Sequence, residues 1–261
     1  MLAEIYFFTF MPKLNNMSNF NHESYLAAIQ SWENTISRYS EIERLIPLYN
    51  VFSLSPEQIQ QINKEDEDPK NFRLDIGIQD DVLIMILVPR DAKGAIKILE
   101  NYTYVNLAPL DHDLQLKEIQ QYTLINRSVL SKDLTHMSTD SDLNFPILSR
   151  PAIEQQTAVK EIEDWRMSGM DWFLRECNEF DGKRIFRRFF ISKEDLLQDE
   201  SSTTNITCSF ALKFSDIYQR MLVSLIFISF QQNNLLTNAG PDFSISNVFD
   251  YARPCPPVCQ L

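Results

Sequence analysis

The sequence predicts an α+β protein of two similar tandem units, each laying an amphipathic helix on antiparallel strands in the order helix, strand, short helix, β-hairpin. Three observations predict it. Ile-x-x-Trp recurs at a spacing of 133 residues, in "AIQSW" at Trp32 and "EIEDW" at Trp165. A stripe of helical period surrounds each tryptophan. A strictly alternating strand then follows at a matching distance, 44 residues from Trp32 to Ile76 and 45 from Trp165 to Phe210.

Residues 1–21 are expected to be an extension outside the first unit. Their apolar run at 5–11 is too short to span a bilayer, and Glu4 stands where a signal peptide carries positive charge. Translation is expected to begin at Met11 or Met17. The first unit, 22–110, opens with a helix whose stripe is Tyr25, Ile29, Trp32, Ile36 and Tyr39, at steps of three and four. The segment "IPLYNVF" leads to "SPEQIQQI", where Ser55 is an N-cap, Pro56 the first helical residue and Gln58 the capping-box partner.

After the polar loop "NKEDEDPKN", Phe72, Leu74, Ile76 and Ile78 alternate with Arg73, Asp75, Gly77 and Gln79, the period of a half-buried strand. The acidic run at 64–68 reads as a solvated loop. A continuous apolar strand, Val82–Val88, completes the hairpin and reads as buried on both faces. The connecting segment, 111–150, is expected to hold a further strand or helix and a polar loop.

In the second unit, 151–250, the helical stripe is Val159, Ile162, Trp165, Gly169 and Phe173, ending at Cys177. "SKEDLLQ" predicts another capped helix from Ser192. Ile206, Cys208, Phe210, Leu212 and Phe214 then alternate with Thr207, Ser209, Ala211, Lys213 and Ser215, and 221–230 is the buried apolar strand. Two such strands need cover on both faces, which favours one sheet shared between the units over two separate sheets.

The tail, 251–261, contains Cys255 and Cys259 in "RPCPPVCQL". Polyproline II geometry, at about 3.1 Å per residue, would place the two thiols about 12 Å apart, too far for a disulfide unless the chain turns sharply. An extended, surface-docked tail with inert cysteines is the expectation; a disulfide or metal pair is its rival. Cys177 and Cys208 lie on core-facing stripes.

Five glycines stand where average usage of about 7% predicts roughly eighteen, and no two are close together. That excludes a dinucleotide-binding glycine turn, a phosphate loop and a nucleophile elbow. A net charge of −12 argues against nucleic acid as a partner. No apolar run spans a membrane, and four cysteines without a secretion signal point to a cytoplasmic setting. The three histidines form no metal-binding motif with their neighbours, Asp111-His112-Asp113 included. No cofactor is expected.

One feature is positive: "KRIFRRFF" places Lys183, Arg184, Arg187 and Arg188 among three phenylalanines in an otherwise acidic chain. Arginine beside aromatic rings suits anion or partner recognition, although such a strand also serves to cover apolar surface with long stems. Function reduces to two readings. The favoured one is a non-enzymatic binding or interaction protein, engaging an unknown protein or small anionic ligand through the groove between units or this basic strand. The alternative is an enzyme acting on a small anionic substrate in the same cleft. A pocket containing a strongly perturbed carboxylate or histidine beside Arg184 or Arg188 would favour the enzyme, and a flat exposed apolar patch a partner protein.

Overall fold

The first helix begins where Asn21 presents a side-chain oxygen to the backbone N–H of Ser24 at 3.0 Å. In the computed structural model this helix is α1 (His22–Thr35), and the residues described are 20–68, 71–116, 123–144, 153–192, 203–232, 244–250, 252–257 and 259. Most of the expected extension at 1–21, and the capped helix expected after Ser192, lie outside them.

α1 buries Tyr25, Ala28, Trp32 and Thr35. The expected stripe runs on to Tyr39, but the helix closes at Ile36 and a second one, α2 (Tyr39–Leu45), starts there. The reason is long-range. Gly182 lies against the Ile36 carbonyl, and the Cys177 thiol donates to that oxygen at 3.4 Å, so a continuing helix would collide with the second half of the chain.

Next come β1 (Val51–Leu54) and α3 (Pro56–Glu65), the latter with the expected capping box formed by Ser55 and Gln58. β2 (Asn71–Gln79) and β3 (Val82–Val88) form a hairpin whose two-residue turn, Asp80-Asp81, is left-handed at both positions. β4 (Thr103–Ala108) extends the meander. The connecting segment then folds into a hairpin of its own, β5 (Thr123–Leu130) and β6 (His136–Asn144).

The second half has α4 (Gln155–Phe180), β7 (Arg188–Ser192), β8 (Thr203–Ser215), β9 (Arg220–Gln232), β10 (Ser244–Phe249) and β11 (Arg253–Cys255). Among the described residues, nine strands form one antiparallel sheet in the order β10-β9-β8-β1-β4-β3-β2-β7-β11, with β5-β6 outside it. β1 is thus inserted between β8 and β4, and β7 lies against β2. Each half contributes a strand beside the other half's meander. The sheet curls toward closure, so that Ser224 on β9 reaches the Ala252 carbonyl just before β11 at 3.2 Å.

The alternation of β2 and β8 sets the core. Phe72, Leu74 and Ile76 from one strand, and Ile206, Cys208, Phe210 and Leu212 from the other, share a cluster with Trp32, Trp165, Phe173 and Phe186. On the outer face α1 covers the first meander, with Tyr25 and Ala28 against Ile84, Ile86 and Val88. α4 covers the second, with Ala158 and Ile162 against Ala211, Ile226, Ile228 and Val248. Gly77 permits the close approach of α1: a Cβ there would lie 2.9 Å from that of Ala28.

Two sequence expectations are corrected. "KRIFRRFF" is a strand only from Arg188 onward. α4 ends in the left-handed pair Asp181 and Gly182, and hydrogen bonds from Lys183 N to Phe180 O and from Ile185 N to Gly182 O make the basic residues before Arg188 a turn. The tail is not extended past Cys255. It adds to β7 as β11 and then turns at Pro256 and Pro257, bringing the Cys255 and Cys259 Cα atoms to 4.7 Å and joining them as a disulfide. The sharp turn overrides polyproline geometry. Cys177 and Cys208 stay reduced and buried.

Candidate functional site

The strand β2 carries its polar residues on the face that α1 covers. Asp75 is therefore only 1% exposed, and its carboxylate collects donors: Arg73 through two nitrogens at 2.8 and 2.7 Å, and the Tyr25 hydroxyl at 2.8 Å. Burial, followed by the Asp75 charge, pushes the Tyr25 phenol well above its ordinary pKa. The register extends the row sideways. Arg188 is opposite Asp75 on one side and Cys255 on the other, and its Nε lies 3.8 Å from Asp75 Oδ1.

A second cluster forms at the C-terminal end of α4. Glu176 is 2% exposed; its Oε1 accepts from Arg184 at 2.8 Å, while Oε2 has no hydrogen-bond partner among the described residues. Arg184 also stacks over the Phe180 ring at 3.6 Å. Burial raises the Glu176 carboxyl pKa, and the nearby Arg184 only partly offsets it. Arg220 is pushed the other way, first by burial and then by Arg184.

A third network links β8 and β9 to Asp250, which follows β10. Lys213 pairs with Asp250, and Ser224 Oγ lies 2.8 Å from Asp250 Oδ1. It pins the end of the sheet where closure begins.

The four sequence-predicted residues are distributed among these neighbourhoods. Arg184 belongs with Glu176, and Arg188 belongs with Asp75 and the tail. Arg187 turns back on the chain, its Nη1 donating to the Lys183 and Ile185 carbonyls at 3.2 and 3.1 Å, with Glu33 4.0 Å from its Nε. Lys183 is exposed, its side chain at 78%, with Asp181 at 4.0 Å. Beyond the adjacency of neighbours in sequence, a hydrogen bond joins Arg187 to Lys183.

Sequence reasoning missed Asp75 and Glu176. Asp75 had a signal, since an acid inside an alternating strand, next to Arg73, faces whatever covers that strand. Glu176 had a weaker one, its place next to Cys177 on the buried stripe.

Among the described residues no group of three or more His, Cys, Asp and Glu could hold a metal, and no helix is long and apolar enough to cross a membrane. Comparison with known proteins finds no matching protein family, no matching curated protein and no matching solved structure.

Glu176 yields a pH prediction. Its folded pKa is raised, so the native state holds a proton that the unfolded chain releases, and this contribution is complete below the ordinary carboxyl value of about 4.5. It is lost as pH rises from there through the folded value. In Glu176→Gln that component disappears, and urea midpoints from pH 4 to 7 should fall less, or rise more, than in the wild type. Parallel pH profiles would overturn the assignment.

Proposed function

We propose that this chain is a non-enzymatic interaction protein, and that it binds an extended segment of a partner protein along the β5–β6 hairpin. The observation that carries this reading is the exposure of that hairpin. Its strands lie outside the nine-stranded sheet, and Leu124, Ile125, Val129, Leu130, Leu134 and Met137 are all exposed. An isolated two-stranded hairpin is marginal in water, and an uncovered strand edge is a template for another strand. The faces that the two halves turn toward each other close on Trp32, Trp165, Phe186 and Phe210, so the outer surface is left for partner contact.

Charge selects the partner. Asp140 and Asp142 lie on β6, in register with Arg127 and Ile125 of β5, and Arg127 pairs with Asp142 at 2.8 Å. Self-pairing of two β6 edges would set these acids against one another. A strand alternating Lys or Arg with Val or Ile fits instead. Fluorescence anisotropy with a panel of such eight-residue peptides should detect binding that falls at least tenfold in Asp140→Lys/Asp142→Lys. Because the hairpin lies outside the main sheet, the same variant should unfold within about 0.5 kcal/mol of the wild type. Equal peptide binding to both proteins would sink the proposal.

Tandem duplication is the proposed origin of the fold. Support comes from the sheet order, in which β2-β3-β4 flanked by β7 mirrors β8-β9-β10 flanked by β1. The two tryptophan helices cover corresponding meanders. The compartment proposed is the cytoplasm, on the basis of composition and of two cysteines left unpaired in the core; the Cys255–Cys259 bridge fits that compartment only as an exchangeable disulfide.

The enzyme reading draws on one specific observation, the raised Glu176 carboxyl beside Arg184 and Arg220. The burial of Glu176 and its existing pairing with Arg184 place it behind the interaction reading. Inorganic phosphate that shifts the thermal midpoint in wild type but not in Arg220→Gln would reverse that order.

A further inference from the structure

The two sulfurs of the C-terminal bridge are not equivalent. Cys255 is 4% exposed and fixed in the sheet, its carbonyl accepting from Arg187 N at 2.8 Å, whereas Cys259 lies beyond the turn and is exposed. Cys255 is also the register partner of Arg188. Residues directly opposite on antiparallel strands project from the same face with Cβ atoms about 4.5–5.5 Å apart. Arg188 therefore stands between Cys255 and Asp75.

The charges along this row do not cancel. Arg73 and the Tyr25 hydroxyl already engage Asp75. Arg188 Nε, at 3.8 Å from Asp75 Oδ1, is beyond hydrogen-bond range, buried, and without a hydrogen-bond partner among the described residues. Two guanidinium groups, those of Arg73 and Arg188, face the one carboxylate of Asp75, and Arg188 is the residue of this row paired in register with Cys255. Such surroundings stabilise a thiolate.

We propose that Cys255–Cys259 is a redox-active disulfide that exchanges with low-molecular-weight thiols, with Cys259 the sulfur attacked and Cys255 the thiolate released beside Arg188. An incoming thiolate bonds to Cys259 Sγ as the Cys255–Cys259 bond breaks, and the electron pair of that bond leaves on Cys255 Sγ, in the residue paired with Arg188. A second thiolate then attacks the bound thiol's sulfur in the mixed disulfide. The oxidised small disulfide departs, and Cys259 leaves as a thiolate that takes a proton from water. Two thiols are oxidised, and the protein cystine is reduced by two electrons.

The test uses the full-length chain as Cys259→Ser, following thiolate absorbance near 240 nm against pH. Cys177 and Cys208 should stay silent across the neutral range, because burial pushes both thiols up. The Cys255 midpoint is expected to fall below the ordinary thiol value of about 8.5, with a several-fold increase in thiolate at pH 7. Adding Arg188→Gln should return it toward the ordinary value, and Arg188→Lys should keep most of the effect. A second measurement holds even if Arg188→Gln fails to fold. Wild-type protein treated with reduced glutathione and quenched in acid should carry the mixed disulfide on Cys259. A midpoint at or above the ordinary value, an adduct on Cys255, or a bridge that never equilibrates with excess glutathione would each overturn the proposal.

Discussion

Trp32→Ala is expected to remove about 3–5 kcal/mol of folding stability, the range for truncating a large buried aromatic side chain. Trp32 is 0% exposed, and its indole N–H donates to the Phe186 carbonyl at 2.9 Å, 154 residues away. Its ring also lies 5.9 Å from that of Phe186, which in turn contacts Phe173, Phe189 and Phe210. One truncation therefore opens a cavity and leaves a carbonyl without its donor at the junction between the halves. Trp32→Phe separates the two effects: it keeps most of the volume and should lose about 1–3 kcal/mol, chiefly from the unpaired carbonyl. Urea titrations followed by far-ultraviolet circular dichroism would measure both. A loss below about 1 kcal/mol for Trp32→Ala, well outside the range for core aromatics, would mean that the halves do not share one cooperative core.

Asp75→Ala is expected to cost a similar amount, about 3–5 kcal/mol, through a different mechanism. The Arg73 side chain is nearly buried and both its bonds to carboxylate oxygens vanish, while the Tyr25 hydroxyl loses its acceptor under α1. The cost arises mainly from charge and polar groups left buried without a counterpart, not from the worth of the ion pair itself. Exchanging the pair together, as Arg73→Met/Asp75→Leu, should therefore recover much of the loss. If the double variant is as unstable as Asp75→Ala, the loss does not come from Arg73 and falls instead on the Tyr25 hydroxyl and Arg188, which both variants deprive of Asp75; the comparison of urea midpoints decides it.

Local pattern was legible where one residue's environment depends on its near neighbours. Ser55 and Gln58 close a capping box within four residues, and the alternation from Phe72 to Ile78 says which side chains enter the core, whatever they meet there. The same holds for Cys177 and Cys208, whose positions on buried stripes keep them reduced. The candidate site was less legible. The basic stretch drew attention to Lys183, Arg184, Arg187 and Arg188, but only Arg184 and Arg188 reach a buried carboxylate, and on different elements: Glu176 of α4 and Asp75 of β2. Asp75 and Glu176 were not singled out as site residues, and the connecting segment was expected only as a strand or helix with a loop, because an acid's burial depends on what covers its strand, and a hairpin's exposure on what fails to.

By itself the sequence determined the α+β class, the antiparallel strands with their inward faces, and the two tryptophan helices. These follow from periodicity, which is a property of consecutive residues. Only the tertiary structure decided that α1 stops at Ile36, that β1 and β7 insert beside the opposite meanders, and that the tail adds to β7 as β11 and closes a disulfide. Each of these outcomes depends on contact between residues far apart along the chain. Burial of a shared aromatic core selects among pairings that local propensity leaves nearly equal.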